Sequence, residues 1–163
     1  MGPPGTGKSY LASRLARRIG ANLVQSDAIR KDRFPRPTYS SKESAIVYGE
    51  AHRRIEESLI GGRDVIFDAT NLEEDKRRHL YEIAERSRAT LTLVWMWAPV
   101  NVIARRLWQR GTARDPEDRS DANWQVYWDL AKTAQRPIRP FILLNSALDV
   151  ENQLAVLDRM LRD

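Results

Sequence analysis

The sequence predicts an α/β fold with a parallel sheet and helices on both faces. Three observations carry that expectation. Strand-like and helical segments alternate from end to end. The run Leu91 to Trp97 is almost wholly apolar, as in a strand covered on both sides. Gly2-Pro3-Pro4-Gly5-Thr6-Gly7-Lys8-Ser9 fits the pattern G-x-x-x-x-G-K-[ST], a phosphate-binding loop that opens a helix. The chain has 163 residues, enough for a single domain spanning 1–163 with a real core.

Each element follows from local pattern. A helix starts at about Gly7, shows Leu11, Leu15 and Ile19 at helical spacing, and ends at Gly20. Asn22 to Ser26 reads as a short strand leading into Asp27-Ala28-Ile29-Arg30, and Lys31 to Ser40, with two prolines, as a loop. Ser41 is the expected cap of a long helix carrying Val47, Ala51, Ile55 and Leu59, stopped by Gly61 and Gly62. Asp64 to Asp68 is a second strand ending in an acid. Asn71 is the expected cap of the next helix, which begins acidic at Glu73, Glu74 and Asp75 and turns basic at Lys76 to Arg78, as the helix dipole favours. After the apolar strand, Pro99 opens a helix through Arg110 that Gly111 ends. Thr112 to Ser120 is polar and reads as a mobile loop, and about 105–135 as a lid region. A helix from about Asp121 to Gln135 aligns Trp124, Tyr127, Trp128 and Ala131. Phe141 to Leu144 is the last strand, and the final helix aligns Val150, Leu154, Leu157 and Leu161.

In such sheets, ligands sit beyond the carboxyl ends of the strands. The loop, Asp27, Asp68 and the segment after Trp97 all fall at that edge. Loop glycines let several N–H groups converge, and the helix start adds partial positive charge. Gly2, Pro3, Pro4, Gly5, Thr6 and Gly7 would form the phosphate cradle. Lys8 would reach the β- and γ-phosphates, and the Ser9 hydroxyl would hold Mg²⁺. Asp27 could accept a proton from an attacking hydroxyl, and Arg30, one helical turn on, could bind an acceptor phosphate. On spacing alone a helix cap and a solvated charge would fit that pair better, and the phosphate loop in the same chain reverses that preference. Asp68 could face the metal or the acceptor. Among Arg105, Arg106, Arg110 and Arg114, one or two could act on the donor phosphates, Arg110 first because it lies nearest the lid. Trp95 and Trp97 read as core, and Trp124 and Trp128 as packing with base stacking as the lesser alternative. His52 and His79 have no evident partner and read as structural or surface residues.

Composition narrows the class. Hydrophobic residues make up 42% and charged residues 30%, a globular balance. The net charge of +5 favours anionic ligands without demanding them. With no cysteine, disulfides, thiol catalysis and cysteine-based zinc sites are excluded. No apolar run approaches a membrane span, and a cytoplasmic setting is expected.

The order of loop, strand then Asp-x-x-Arg, strand ending Asp68-Ala69-Thr70-Asn71, and arginine-rich lid resembles the phosphate-loop kinases of the AAA_33 and zeta-toxin-like type. Arg106-Leu107-Trp108-Gln109-Arg110-Gly111-Thr112 is similar to the lid of 5′-hydroxyl polynucleotide kinases. The resemblance implies a P-loop NTPase-type three-layer sandwich of strand order 2-3-1-4-5, with ATP and Mg²⁺ as cofactors. It implies γ-phosphoryl transfer to a hydroxyl acceptor, either a nucleic acid 5′-hydroxyl or a small molecule. Lys8, Asp27 and Arg110 would be catalytic, Arg106 and Arg110 would hold the donor, and Arg30 the acceptor. In that family a central strand precedes the loop, whereas here Met1 alone stands before Gly2. The flanking strands would then face a gap with unpaired backbone groups. The chain as given is therefore expected to be a fragment or to carry a misplaced start, unless the gap closes directly or a partner lends a strand.

Overall fold

A computed structural model describes residues 1–112 and 123–162. The elements run α1 (Lys8–Ile19), β1 (Asn22–Gln25), α2 (Ser26–Arg33), α3 (Ser41–Ile60), β2 (Val65–Asp68), α4 (Glu74–Arg86), β3 (Leu93–Trp97), α5 (Val100–Thr112), α6 (Trp124–Lys132), β4 (Phe141–Asn145) and α7 (Val150–Arg162). The expected α/β alternation is observed.

Among the described residues the strands form two parallel pairs, β1 with β2 and β3 with β4. The register sets Gln25 opposite Asp68 and Trp97 opposite Asn145, so the two carboxyl ends of each pair lie together. Residues 1 and 2, bonded to Thr70 beyond β2 and to Met96 near the end of β3, join the two pairs along one rim. These adjacencies agree with the expected order. β2 and β3 do not pair with each other, so the gap is not closed directly. Residues 1 and 2 lie at its carboxyl end. The Met1 nitrogen donates to the Val94 carbonyl at 2.7 Å, the Met96 amide donates to the Met1 carbonyl at 2.8 Å, and the Gly2 amide donates to the Thr70 carbonyl at 3.1 Å.

Side-chain alternation along β2 separates two cores. Val65 and Phe67 join Val24, Val47, Ala51, Ile55, Leu80 and Ile83 beneath α3 and α4. Ile66 faces the other way, into Leu11, Leu15, Met96, Leu154 and Leu157 beneath α1 and α7. Helices thus cover both faces. Leu157 is fully buried, and burying one such leucine contributes about 1.5–3 kcal/mol. A third cluster of Ala98, Ile103, Leu107 and Tyr127 seats α6 on α5.

Several boundaries differ from expectation for identifiable reasons. Ser40, not Ser41, caps α3: its hydroxyl accepts from the Glu43 amide at 3.3 Å. Asn71 is not a cap. It takes a left-handed backbone (φ 45°) inside the turn, and α4 begins at Glu74 without a side-chain cap. The fully buried Arg77 holds that turn, donating to the Asn71 and Gln135 carbonyls, each at 2.7 Å, and to Glu74. The expected loop from Lys31 begins only after Arg33, because α2 continues through it. Gly111 does not end α5, which runs to Thr112. α6 is shorter than the pattern, from Trp124 to Lys132. Trp97, expected in the core, is 40% exposed, and Trp124 and Trp128 are partly open at 38% and 41%. His52 and His79 are partners after all, stacked with ring centroids 5.7 Å apart between α3 and α4. The loop expected over Thr112 to Ser120 falls, beyond Thr112, outside the described residues.

Candidate active site at the sheet rim

The loop folds as its sequence requires. A β-carbon on Gly2 would overlap the Met96 carbonyl oxygen, so glycine alone lets the chain pass β3 this closely. Gly7 occupies the left-handed region (φ 81°) as the N-cap of α1. The Thr6 hydroxyl donates to the Pro3 carbonyl at 2.7 Å, and Lys8 Nζ donates to the same carbonyl at 3.0 Å. These two bonds fold the loop over its own start and hold the Lys8 ammonium at the rim. The first turn of α1 carries no acid, so its positive end is left for an anion. Ser9 is exposed on that turn.

Asp27 stands in the first turn of α2, immediately after β1. It is half-buried. Burial raises its carboxyl pKa above the ordinary range; the Lys8 charge pulls it back, and the Asp68 charge raises it again. Asp27 therefore lies within the electrostatic reach of both the loop lysine and the acid of β2. A carboxylate made more basic by burial yet kept beside cations is suited to take a proton.

Asp68 ends β2 and is buried, at 8% exposure. Gln25 Nε2 donates to its Oδ2 at 3.1 Å, and the Ser26 hydroxyl donates to its main-chain carbonyl at 3.4 Å. Sequence reasoning missed Gln25. Its signal was its place at the end of β1, one strand away from an acid ending β2.

Arg30 is brought near Asp27 but is engaged within the fold. It is buried, pairs with Glu43 at 2.6 Å, donates to the Ser44 hydroxyl at 3.4 Å and lies over the Tyr39 ring at 4.7 Å. Thr38 also donates to Glu43, from its amide at 2.7 Å and its hydroxyl at 2.8 Å. With these donors, Arg30 holds the Glu43 carboxyl down at about 2 against the cost of burial. Arg30 Nε is buried without a partner. No motif announced Glu43.

Arg106 is half-buried against the back of the loop. Its Nη1 donates to the Ser146 hydroxyl at 2.7 Å and to the Gly5 carbonyl at 3.3 Å, and its Nη2 to the Ser146 carbonyl at 2.8 Å. It ties the loop to the turn after β4, a contact the sequence did not announce. Arg105 is exposed on α5. Arg110 lies on the last turns of α5, with its side chain outside the described residues, and Arg114 is outside them altogether.

The donors fit a magnesium ion. The Ser9 hydroxyl and the Asp68 carboxylate are hard oxygen ligands, and magnesium commonly takes few protein ligands and completes its shell with phosphate and water. Among the described residues no group of three or more His, Cys, Asp or Glu forms a dedicated metal cage. No helix among them is long and apolar enough to cross a membrane.

The family model AAA_33, described as an AAA domain, matches residues 1–137. Among solved structures, the APS kinase CysC of Mycobacterium tuberculosis, in complex with AMPPNP and APS, is 17% identical. It is matched over 100% of this chain and 95% of that one, with a TM-score of 0.73. A gluconokinase from Sinorhizobium meliloti is 20% identical over 99% of this chain and 93% of that one, at 0.68. Kti12 of Chaetomium thermophilum, in complex with ADP-AlF3, is 19% identical over 99% and 95%, at 0.72. These likenesses show the fold.

Proposed function

The chain belongs to the AAA_33 family, and from that premise we propose that it is an ATP-dependent kinase acting on a hydroxyl acceptor. One observation carries the reading: Asp27 opens α2 at the rim where the loop lysine stands, and the Lys8 charge acts on its carboxyl. The acceptor hydroxyl gives its proton to Asp27. Its oxygen bonds to the γ-phosphorus as the bond to the β–γ bridging oxygen breaks, and ADP leaves with that electron pair. The loop amides and Lys8 bind the phosphates and offset the charge that grows on the bridging oxygen. Arg110, carried on α5, is the candidate to complete that charge balance from the lid, and Arg30 to orient the acceptor. Ser9, with Asp68 facing either the ion or the acceptor, would hold magnesium, which would supply Lewis-acid charge stabilisation when bound.

A nucleic acid 5′-hydroxyl is the first acceptor to test, on the net charge of +5 and the likeness of Arg106–Thr112 to polynucleotide kinase lids. Small hydroxyl compounds come second, supported by the APS kinase and gluconokinase folds. A different class of reading, an ATP-binding module without transfer, is favoured by one observation. Two of the arginines assigned to substrates, Arg30 and Arg106, are bonded internally.

The test uses γ-labelled ATP with magnesium, alone and with a 5′-hydroxyl oligonucleotide or a panel of sugars and nucleosides. Label transferred by the wild type and lost in Asp27→Ala is the expected result. Tight ATP binding with no transfer to any acceptor would leave the module reading. Phosphate release at one rate with or without acceptor would make the protein an ATPase.

A further inference from the structure

Asp68 has two possible neighbours, metal or acceptor, and the strand geometry distinguishes them. Along β2, Val65 and Phe67 face α3 and α4, while Ile66 faces α1 and α7. Side chains alternate along a strand, so Asp68 shares the face of Ile66. Its carboxylate therefore leans toward α1, the helix whose first turn carries Lys8 and Ser9. Gln25 is its parallel partner in register and shares that face. The contact is one-sided chemically. Gln25 Nε2 meets Oδ2 at 3.1 Å, and the opposite amide orientation would set two acceptors against each other.

A neutral donor fixes one oxygen of the carboxylate without offsetting its charge and leaves the second oxygen aimed in one direction. A lysine or arginine at the same place would cancel that charge and repel a cation. We propose that Gln25 is a positioning residue for magnesium: it sets the rotamer of Asp68 so that Oδ1 faces the ion beside Ser9. This assignment rests on the kinase reading above, and it moves Asp68 from the acceptor side to the metal side.

The test measures magnesium directly. A fluorescent ATP analogue is held at fixed concentration, magnesium is titrated into wild type, Asp68→Asn, Gln25→Met and Gln25→Lys, and melting temperatures are recorded beside each titration. Gln25→Met keeps the length and removes the donor. It should raise the magnesium half-saturation concentration about tenfold, the usual scale for losing a group that orients a metal ligand, while binding in EDTA stays unchanged. Gln25→Lys keeps a bond to Asp68, and with it the fold, but adds a cation. It should abolish the magnesium response, as Asp68→Asn should.

Wild-type half-saturation in both Gln25 variants, with Asp68→Asn shifted, overturns the role of Gln25 and leaves the kinase reading intact. A lowered melting temperature without a magnesium shift makes Gln25 a sheet crosslink only and equally overturns the proposal. Unshifted magnesium binding in Asp68→Asn returns Asp68 to the acceptor and overturns it too. A wild type that binds no ATP overturns the kinase reading itself.

Discussion

Arg106 offers the sharpest separation between what the fold needs and what a lid would need. In the structure it makes three hydrogen bonds, two of them short, to Gly5 and Ser146. Replacing it with methionine keeps the aliphatic stem and removes them all. Hydrogen bonds to a charged group contribute about 1.5–3 kcal/mol each at best. Arg106 is only half-buried and water can replace part of what is lost, so about 2–3 kcal/mol in total is the working figure. Such a loss lowers the melting temperature of a domain this size by roughly 4–10 °C. The loop it braces should also bind ATP more weakly, because its amides would no longer be held converged. Thermal melts and ATP titrations of Arg106→Met measure both effects. If the variant melts and binds ATP like the wild type but fails to transfer phosphate, the tether is incidental and the arginine works on the donor phosphates instead.

Other perturbations follow from the same structure. Burial raises the Asp27 pKa, so the folded state holds a proton there that the unfolded chain has already released. Stability at this group falls as pH rises from the ordinary carboxylate range through the folded value. Asp27→Asn should therefore melt higher than wild type at neutral pH, by a margin that shrinks toward pH 4, while transfer is lost; a margin independent of pH would contradict the burial argument. His52 shows the reverse sign. Burial lowers its pKa from 6.5, with the His79 ring adding to the effect and Glu56 opposing it. Stability should fall as pH drops from 7 to 5, and His52→Phe should flatten that slope in melts. Gly2→Ala puts a β-carbon against the Met96 carbonyl at a backbone angle open to glycine, φ 141°. It should cost about 1–3 kcal/mol and weaken ATP binding, as calorimetry would show.

The alternation of elements and the rim were readable because each rests on short-range pattern. Leu11, Leu15 and Ile19 predict one helix face from spacing alone, and the Gly20 stop needs no tertiary information. The loop was readable for a similar reason: its glycines answer to backbone geometry within a few residues. Asn71 was misjudged because capping is a local preference that a tertiary bond can override. Here the fully buried Arg77 takes the Asn71 carbonyl and fixes the turn before α4 begins. Trp97 was misjudged because an apolar run announces burial of a strand without saying where the strand stops being covered.

Arg30 shows why spacing could place two side chains and still miss what they are bonded to. Asp-x-x-Arg fixes the interval between two side chains on α2, and both do lie near the rim. The interval says nothing about Glu43, which comes from the first turn of α3, capped by Ser40. Glu43 is bound by Arg30 and twice by Thr38, so the carboxylate has donors to spare. Arg30, in turn, keeps a buried Nε with no acceptor. An unpaired buried donor is costly, so the arrangement is better satisfied once an anionic group reaches Arg30. Removing the carboxylate with Glu43→Gln should leave Arg30 buried without its counter-charge. That variant should lose stability in a neutral-pH melt, and inorganic phosphate should restore part of it. A variant that loses stability and that phosphate fails to raise would mean that the guanidinium is sealed in the α2–α3 junction and does not serve the acceptor; a melt unaffected by the substitution would mean that Glu43 is not what holds Arg30 in place.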